Sequence, residues 1–152
     1  MEVIIRKAKS EDLVEIIRIQ KSAFKVQADR YDAYDIPPMI EKAEDIDLFS
    51  ENLAVLVAEL DGSIAGSVRI GYGEKDAEIK RLSVNDEYQN KGIGRKLMAA
   101  AESLCGGLER IWLFTGGQSY KNIELYKKLG FRVWKEEPWK DDFTLIYLEK
   151  LI

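Results

Sequence analysis

Apolar and polar residues follow two periods along the chain, and the switches between them predict the order of the elements. Runs that are β-branched or apolar predict strands at residues 3–6, 53–60, 63–72, 77–84, 110–115, 131–135 and 143–150. Stripes with helical spacing predict helices at residues 10–24, 40–49, 92–105 and 119–129. Between two of the strands, Asp61-Gly62 is a strong signal for a two-residue hairpin turn.

This order of elements predicts a single α/β (α+β) domain over residues 1–152. Strands outnumber helices, and two strand–helix crossovers in the C-terminal half indicate a mixed sheet with helices on both faces. The 152 residues, of which 46% are hydrophobic, suit one sizeable core. No linker or repeat interrupts the pattern, so we expect no second domain.

Composition excludes several kinds of chemistry. The chain has no histidine, which rules out a Ser-His-Asp triad, a Cys-His pair and a histidine-ligated metal, and we expect no metal. Cys105 is the single cysteine, so it forms no intramolecular disulfide. Its position at a helix end favours packing in the core over a role as a nucleophile. The apolar runs are too short to span a membrane, and the net charge of −4 argues against nucleic-acid binding. These features predict a cytoplasmic protein without a membrane or nucleic-acid partner.

The segment from Gln89 to Lys96 has the pattern Gln-x-x-Gly-x-Gly between a predicted strand and a predicted helix. A glycine-rich turn at the start of a helix presents free backbone N–H groups and the positive end of the helix dipole, which together bind phosphate. Within residues 80–96, five cations outnumber two acids. The spacing matches neither a Walker A loop nor a dinucleotide motif. A flexible, solvated helix entry is the alternative that this pattern alone leaves open.

Two longer motifs resemble the GNAT superfamily of acyl-CoA N-acyltransferases. The first is Ala-Glu-Ile-Lys-Arg-Leu-Ser-Val at residues 77–84 with the turn that follows to Gly94, and the second is residues 119–131, ending in Leu-Tyr-Lys-Lys-Leu-Gly-Phe. The resemblance covers most of the chain, is weakest over residues 28–52 and 134–142, and departs at Asn85, where many members have proline. It implies the GNAT fold, a mixed sheet of about six to seven strands with about four helices, whose two central parallel strands splay to admit the cofactor.

The resemblance implies acetyl-CoA as co-substrate, with its pyrophosphate bound by the glycine-rich turn and its pantetheine paired with the preceding strand. The residues carried over to the turn are Gln89, Asn90, Lys91, Gly92, Ile93, Gly94, Arg95 and Lys96. Those carried over to the strand are Leu82, Ser83 and Val84. Ser119 and Asn122 match further contacts to CoA, although either residue also suits a helix cap.

Two residues match the family's catalytic positions. Tyr126 matches a tyrosine that protonates the leaving thiolate, while its apolar helical stripe leaves a core role as the alternative. Glu78 matches the general base of the histone acetyltransferase branch, and an ion pair with Lys80 or Arg81 is the alternative. Strand alternation places Glu78 on one face with Lys80, Leu82 and Val84, and places Ile79, Arg81 and Ser83 on the other.

The implied activity is an N-acetyltransferase that moves an acetyl group to a primary amine by direct attack in a ternary complex. A catalytically silent acyl-CoA sensor or scaffold is the alternative, and the chain is expected to be a monomer or a homodimer. Residues 31–61 contain nine acids and one cation, so a cationic small-molecule, peptide or protein amine is favoured, unless these acids only solvate a surface helix. An apolar pocket wall is expected from Tyr31, Tyr34, Pro37, Pro38 and Met39.

Overall fold

Seven strands form one mixed sheet in the computed structural model, which describes residues 2–140 and 142–152. The strands are β1 (Val3–Lys7), β2 (Leu53–Leu60), β3 (Ser63–Tyr72), β4 (Asp76–Val84), β5 (Arg110–Gly116), β6 (Arg132–Pro138) and β7 (Thr144–Leu151). Their order in the sheet is β1-β2-β3-β4-β5-β7-β6. The α-helices are α1 (Leu13–Tyr31), α2 (Pro37–Ile40), α3 (Ile93–Ser103) and α4 (Tyr120–Lys128). The predicted mixed sheet is confirmed. Among the described residues, no helix has the length and apolar content needed to cross a bilayer.

The parallel pair β4–β5 holds together over only three residues of each strand. Asp76, Ala77 and Glu78 pair with residues 110–112, and every other neighbouring pair in the sheet is antiparallel. Beyond Glu78, β4 continues to Val84 without β5 as its partner. The edge of β4 that faces β5 is therefore open, which confirms the predicted splay of the central strands.

A bulge in β4 overturns the predicted alternation of its side chains. Lys80 lies opposite Arg69 of β3 and Ser83 lies opposite Ser67, so two β4 residues occupy the space of one. The extra residue is accommodated at Arg81, whose φ of 59° is in the left-handed region. Ser83 consequently shares the face of Lys80, whereas Val84 moves to the other face and packs on the core. The expectation that Val84 shares a face with Glu78 is wrong.

Helices α1 and α3 cover opposite faces of the sheet. Side chains of β2 alternate between the two, since Val55 and Val57 pack with Ile16 of α1, whereas Leu56 belongs to the cluster that holds Leu97 of α3. Gly66 on β3 brings α3 close to the sheet, because a Cβ at this position would lie 2.8 Å from the Ser83 carbonyl and 3.1 Å from Leu97. This close packing holds the N-terminus of α3 beside the end of β4.

The predicted helix over residues 40–49 is wrong. Helix α2 is a single turn that begins at Pro37, with both prolines in the first turn, where a missing N–H is tolerated. It ends at Ile40, because the backbone of the next residue, Glu41, is extended, and a 3-10 turn at Ala43–Asp45 follows. Helix α1, in contrast, continues past the predicted end to Tyr31.

Candidate active site

The glycine-rich turn presents unpaired amides at the start of α3. Gly92 is the N-cap residue with φ of 76°, and a Cβ there would meet nothing within 4 Å. The first hydrogen bond of the helix runs from the Lys96 N–H to the Gly92 carbonyl, at 3.1 Å. The N–H groups of residues 93–95 precede this bond, so they have no partner inside the helix. Free N–H groups at a helix N-terminus favour an anion, so this end of α3 has the backbone geometry that the predicted phosphate-binding turn requires.

A cavity of about 540 Å³, here named the turn cavity, opens in front of these amides. It is bounded by the end of β4, the glycine-rich turn, the start of α4 and one side of α1. The predicted cofactor residues on its wall are Leu82, Ser83, Val84, Gln89, Asn90, Gly92, Ile93, Gly94, Arg95, Ser119 and Asn122. Lys91 and Lys96 are exposed and do not lie on this wall.

Helix α1 adds wall residues that sequence reasoning missed. Phe24, Gln27 and Arg30 are spaced one helical turn apart, and all three line the turn cavity. The helical stripe predicted that α1 has a buried face. Nothing in that spacing indicates which edge of the sheet the helix crosses, so no local signal identified these residues.

Tyr31 holds the loop that leads into α4. Its buried hydroxyl accepts the Gln118 N–H at 2.8 Å and lies 3.1 Å from the Ser119 hydroxyl. The ring fits because Gly116 has no Cβ, which would otherwise collide with it. Ser119 is the N-cap residue of α4 but makes no capping bond through its side chain, so its hydroxyl serves the contact with Tyr31 instead.

A second cavity of about 240 Å³, here named the cleft cavity, lies between the diverging ends of β4 and β5. Residues 78–82 form one wall and residues 113–116 the other. Leu82 and Asn122 line both cavities, so the two spaces adjoin. The predicted apolar wall is right for Pro37 and Pro38, whereas Tyr31, Tyr34 and Met39 do not line the cavity.

Both predicted catalytic residues lie on the wall of the cleft cavity. Tyr126 is buried, its ring meets Phe131 edge-on with centroids 6.1 Å apart, and burial raises its pKa to about 12. Its hydroxyl makes no hydrogen bond to any residue that the structure describes. Tyr126 thus belongs to the core and faces the cavity at the same time.

Glu78 is half-buried on the same wall. Burial raises its pKa, an effect that the charges of Lys80 and Arg81 partly offset. Among the described residues Glu78 forms no ion pair, so the alternative of a simple pair with Lys80 or Arg81 is wrong. A carboxylate with a raised pKa in a cleft is the usual setting for proton transfer.

The acid-rich residues 31–61 are predicted to border an acidic acceptor channel. Within the described residues, none of the nine lines either cavity. Glu41 instead lies 2.8 Å from Arg69 and 3.4 Å from Arg81, and it also accepts from Gln20 at 3.0 Å. Burial alone would raise the pKa of Glu41, but these partners outweigh burial and lower it to about 2. Among the residues that the structure describes, these acids therefore form no acidic channel along either cavity.

Comparison with known sequences agrees with this geometry. Residues 12–131 match the model of the acetyltransferase (GNAT) family. A spermidine N(1)-acetyltransferase from Thermoplasma acidophilum is 28% identical over 157 residues, covering 95% of this chain and 96% of that protein. An uncharacterized N-acetyltransferase from Chlorobaculum tepidum is 32% identical over 88 residues, a match that spans 56% of this chain and only 57% of that relative.

Solved structures share the fold along nearly their whole length. A GNAT acetyltransferase from Streptococcus pneumoniae superposes with a TM-score of 0.78 at 22% identity, covering 99% of both chains. The PaiA N-acetyltransferase from Thermoplasma acidophilum, solved in complex with coenzyme A, superposes with a TM-score of 0.75 at 22% identity over 100% of both chains. With the family model matching most of its residues, this chain belongs to the GNAT family of acetyltransferases.

Proposed function

We propose that this chain transfers an acetyl group from acetyl-CoA to a primary amine, by direct attack within a ternary complex. The observation that carries the proposal is the junction of the two cavities at Leu82 and Asn122. A ligand with its phosphates at the N-terminus of α3 can extend along β4 and place its thioester between Glu78 and Tyr126. Coenzyme A in the Thermoplasma PaiA structure supports this choice of cofactor.

Acetyl-CoA is held chiefly by backbone groups in this proposal. The amides of residues 90–95 bind its pyrophosphate, and the helix dipole of α3 adds to the attraction. Arg95 and Arg30 on the cavity wall, with Lys91 and Lys96 nearby, favour the negative charge. The open edge of β4 at residues 82–84 pairs with the pantetheine amides, which need hydrogen-bond partners as a strand does.

Glu78 and Tyr126 divide the proton transfers between them. Glu78 removes a proton from the substrate ammonium, directly or through water, and the neutral nitrogen attacks the thioester carbonyl. A C–N bond forms, the C–S bond breaks, and the attacking nitrogen loses its second proton to the solvent. Glu78 then releases the proton that it accepted to the solvent as well. The leaving thiolate takes its proton from the Tyr126 hydroxyl, which regains one from the solvent. The net products are the acetylated amine, free CoA and one proton.

The raised pKa of Tyr126 is compatible with the role of acid. A phenol with a pKa of about 12 stays protonated at neutral pH, so it is always ready to donate. The thiolate forms in the same buried space, and burial raises the pKa of a thiol as it raises that of a phenol. Both partners thus become more basic together, and the proton still has an acceptor.

The binding step is tested by isothermal titration calorimetry of CoA with Gly92→Val. A valine there fills the space in front of the α3 amides, and we expect binding to be lost. Gly107→Val is the matched control, because Gly107 also has a positive φ, of 89°, and open space around it, but lies beyond the other end of α3. Equal CoA affinity in both variants would contradict the assigned cofactor site.

Catalysis itself is tested by following CoA release from acetyl-CoA with a panel of primary amines. We expect amine-dependent turnover that saturates in both substrates, as a ternary complex requires. A protein that binds CoA tightly and releases none with any amine would instead be the silent sensor.

A further inference from the structure

The charges on the wall of the cleft cavity come from one short stretch of β4. Glu78, Lys80 and Arg81 all line it, so two cations stand beside one acid. The sequence predicts a negative net charge for this wall, because it places the acid-rich segment 31–61 beside the acceptor. The wall is therefore suited to attract negative charge in addition to accepting an amine.

Arg81 is only partly neutralised. Its Nε lies 3.4 Å from Glu41, but that carboxylate is closer to Arg69, at 2.8 Å. One carboxylate thus serves two guanidinium groups. The terminal nitrogens of Arg81 have no acceptor among the residues that the structure describes. A guanidinium on a cavity wall with donors left over can form charge-assisted, bidentate hydrogen bonds to a carboxylate or a phosphonate.

The bulge is what brings Arg81 to this wall. Regular alternation would place Arg81 on the same face as Ile79, which is buried in the core beneath α3. The left-handed backbone at Arg81 instead turns it toward Glu41 and the cleft cavity. Non-glycine residues hold such a conformation at some cost in free energy, and bulges of this kind re-aim side chains beside functional sites.

We propose that the acceptor is a small zwitterion, a primary amine that also carries a carboxylate or phosphonate, and that Arg81 binds this anion. The inference rests on the proposed acetyltransferase function and specifies its substrate. Lys80 adds to the attraction, and the amine of the bound molecule faces Glu78. The cavity of about 240 Å³ is of a size that suits a small acceptor. A polyamine would place its further ammonium groups against two cations, which like-charge repulsion opposes.

The wild-type protein tests this with matched acceptors at saturating acetyl-CoA. The common L-amino acids are each compared with their carboxamides, 2-aminoethylphosphonate is compared with ethylamine, and spermidine is included. Values of kcat/KM are expressed per neutral amine, because removal of the anion lowers the amine pKa. We expect at least one amino acid or the phosphonate to exceed, by roughly tenfold or more, the kcat/KM of its partner that lacks the anion. The better of these two arms identifies the anion.

Two other results overturn the inference in different ways. If the partners without the anion, or spermidine, reach a kcat/KM equal to or above that of every anionic amine, the anion subsite is wrong and the acetyltransferase function stands. If no acceptor of any kind is acetylated, the proposed function fails and the inference fails with it.

Arg81→Gln distinguishes a role of Arg81 in binding the anion from a purely structural role. We expect a loss of about 10- to 100-fold in kcat/KM for the best anionic amine, mainly through KM. For the partner that lacks the anion, we expect a change of less than about threefold. Arg81→Lys should restore part of the loss. Arg18→Gln, on the exposed part of α1, is the control for losing an arginine from an ion pair. An equal loss with both acceptors would assign Arg81 a purely structural role and overturn the proposal.

Discussion

Replacing Glu41 by glutamine removes one negative charge from a buried cluster while leaving the shape of the side chain nearly unchanged. In the wild type this carboxylate accepts from Arg69, Arg81 and Gln20. The Arg69 side chain is only 4% exposed, so water cannot replace the lost partner. Glu41→Gln therefore leaves a buried guanidinium without a counter-charge.

The magnitude follows from the pKa of Glu41. Its fall from 4.5 to about 2 means that the protein stabilises the ionised form over the neutral one. Since a tenfold change in an ionisation constant is worth about 1.4 kcal/mol, the stabilisation is roughly 3 kcal/mol. Breaking a buried pair by removing one partner typically costs ~3–5 kcal/mol, which agrees. For a domain of this size the expected fall in Tm is roughly 6–12 °C.

The pH dependence of the stability difference follows from the lowered pKa of Glu41. A carboxyl whose pKa is lower in the folded state stabilises the fold above its ordinary pKa of 4.5, and the stabilisation disappears as the pH falls toward about 2. The difference in the free energy of unfolding between wild type and Glu41→Gln should therefore be constant above about pH 5.5 and shrink below 4.5. Urea denaturation followed by circular dichroism at several pH values measures it.

Glu44→Gln is the control, because Glu44 is an exposed acid in the neighbouring 3-10 turn. Its effect should stay within about 0.5 kcal/mol at every pH. If Glu41→Gln unfolds at the same urea concentration as the wild type at pH 7, the ion pairs of Glu41 do not stabilise the fold and the reasoning is refuted.

Three further predictions concern the site and its support. Tyr126→Phe should lower kcat roughly 10²-fold with little change in CoA affinity, whereas Tyr72→Phe, which loses a hydroxyl elsewhere, should be active. Full activity of the Tyr126→Phe variant would leave Tyr126 with a core role only. Glu78→Gln should be slower by about 10²-fold and should lack the acidic limb of the kcat/KM profile, which in the wild type should lie above pH 4.5. Because burial raises the pKa of Glu78, the wild type loses stability as the pH rises through that pKa, and the variant should be the more stable protein at pH 7. Thermal melts at pH 4 and pH 7 can contradict this. Gly66→Ala should destabilise the fold by about 1–3 kcal/mol and weaken CoA binding, because the new Cβ collides with Ser83 and Leu97. Gly106→Ala, in open space, should have neither effect. Urea denaturation measures the stability and calorimetry measures the CoA affinity.

Local chemistry in the sequence determined the turn and helix entries of this protein. The Asp61-Gly62 hairpin forms as predicted, with φ of 51° and 82° at its two residues, because such a turn depends on a few adjacent residues. The glycine-rich entry to α3 is predictable for the same reason. The splay of β4 from β5 is implied by the resemblance of residues 77–94 and 119–131 to the family motifs.

Tertiary structure alone decided which charged side chains line the cleft cavity. Counting acids over residues 31–61 measures their number but not their direction, and Glu41 turns away to Arg69 and Arg81, which lie 28 and 40 residues along the chain. Alternation along β4 likewise fails at Arg81, because a bulge depends on the register with β3 and leaves no local pattern. Ion pairs and register are set by residues far apart in sequence, and for this reason they appear only once the sheet has formed.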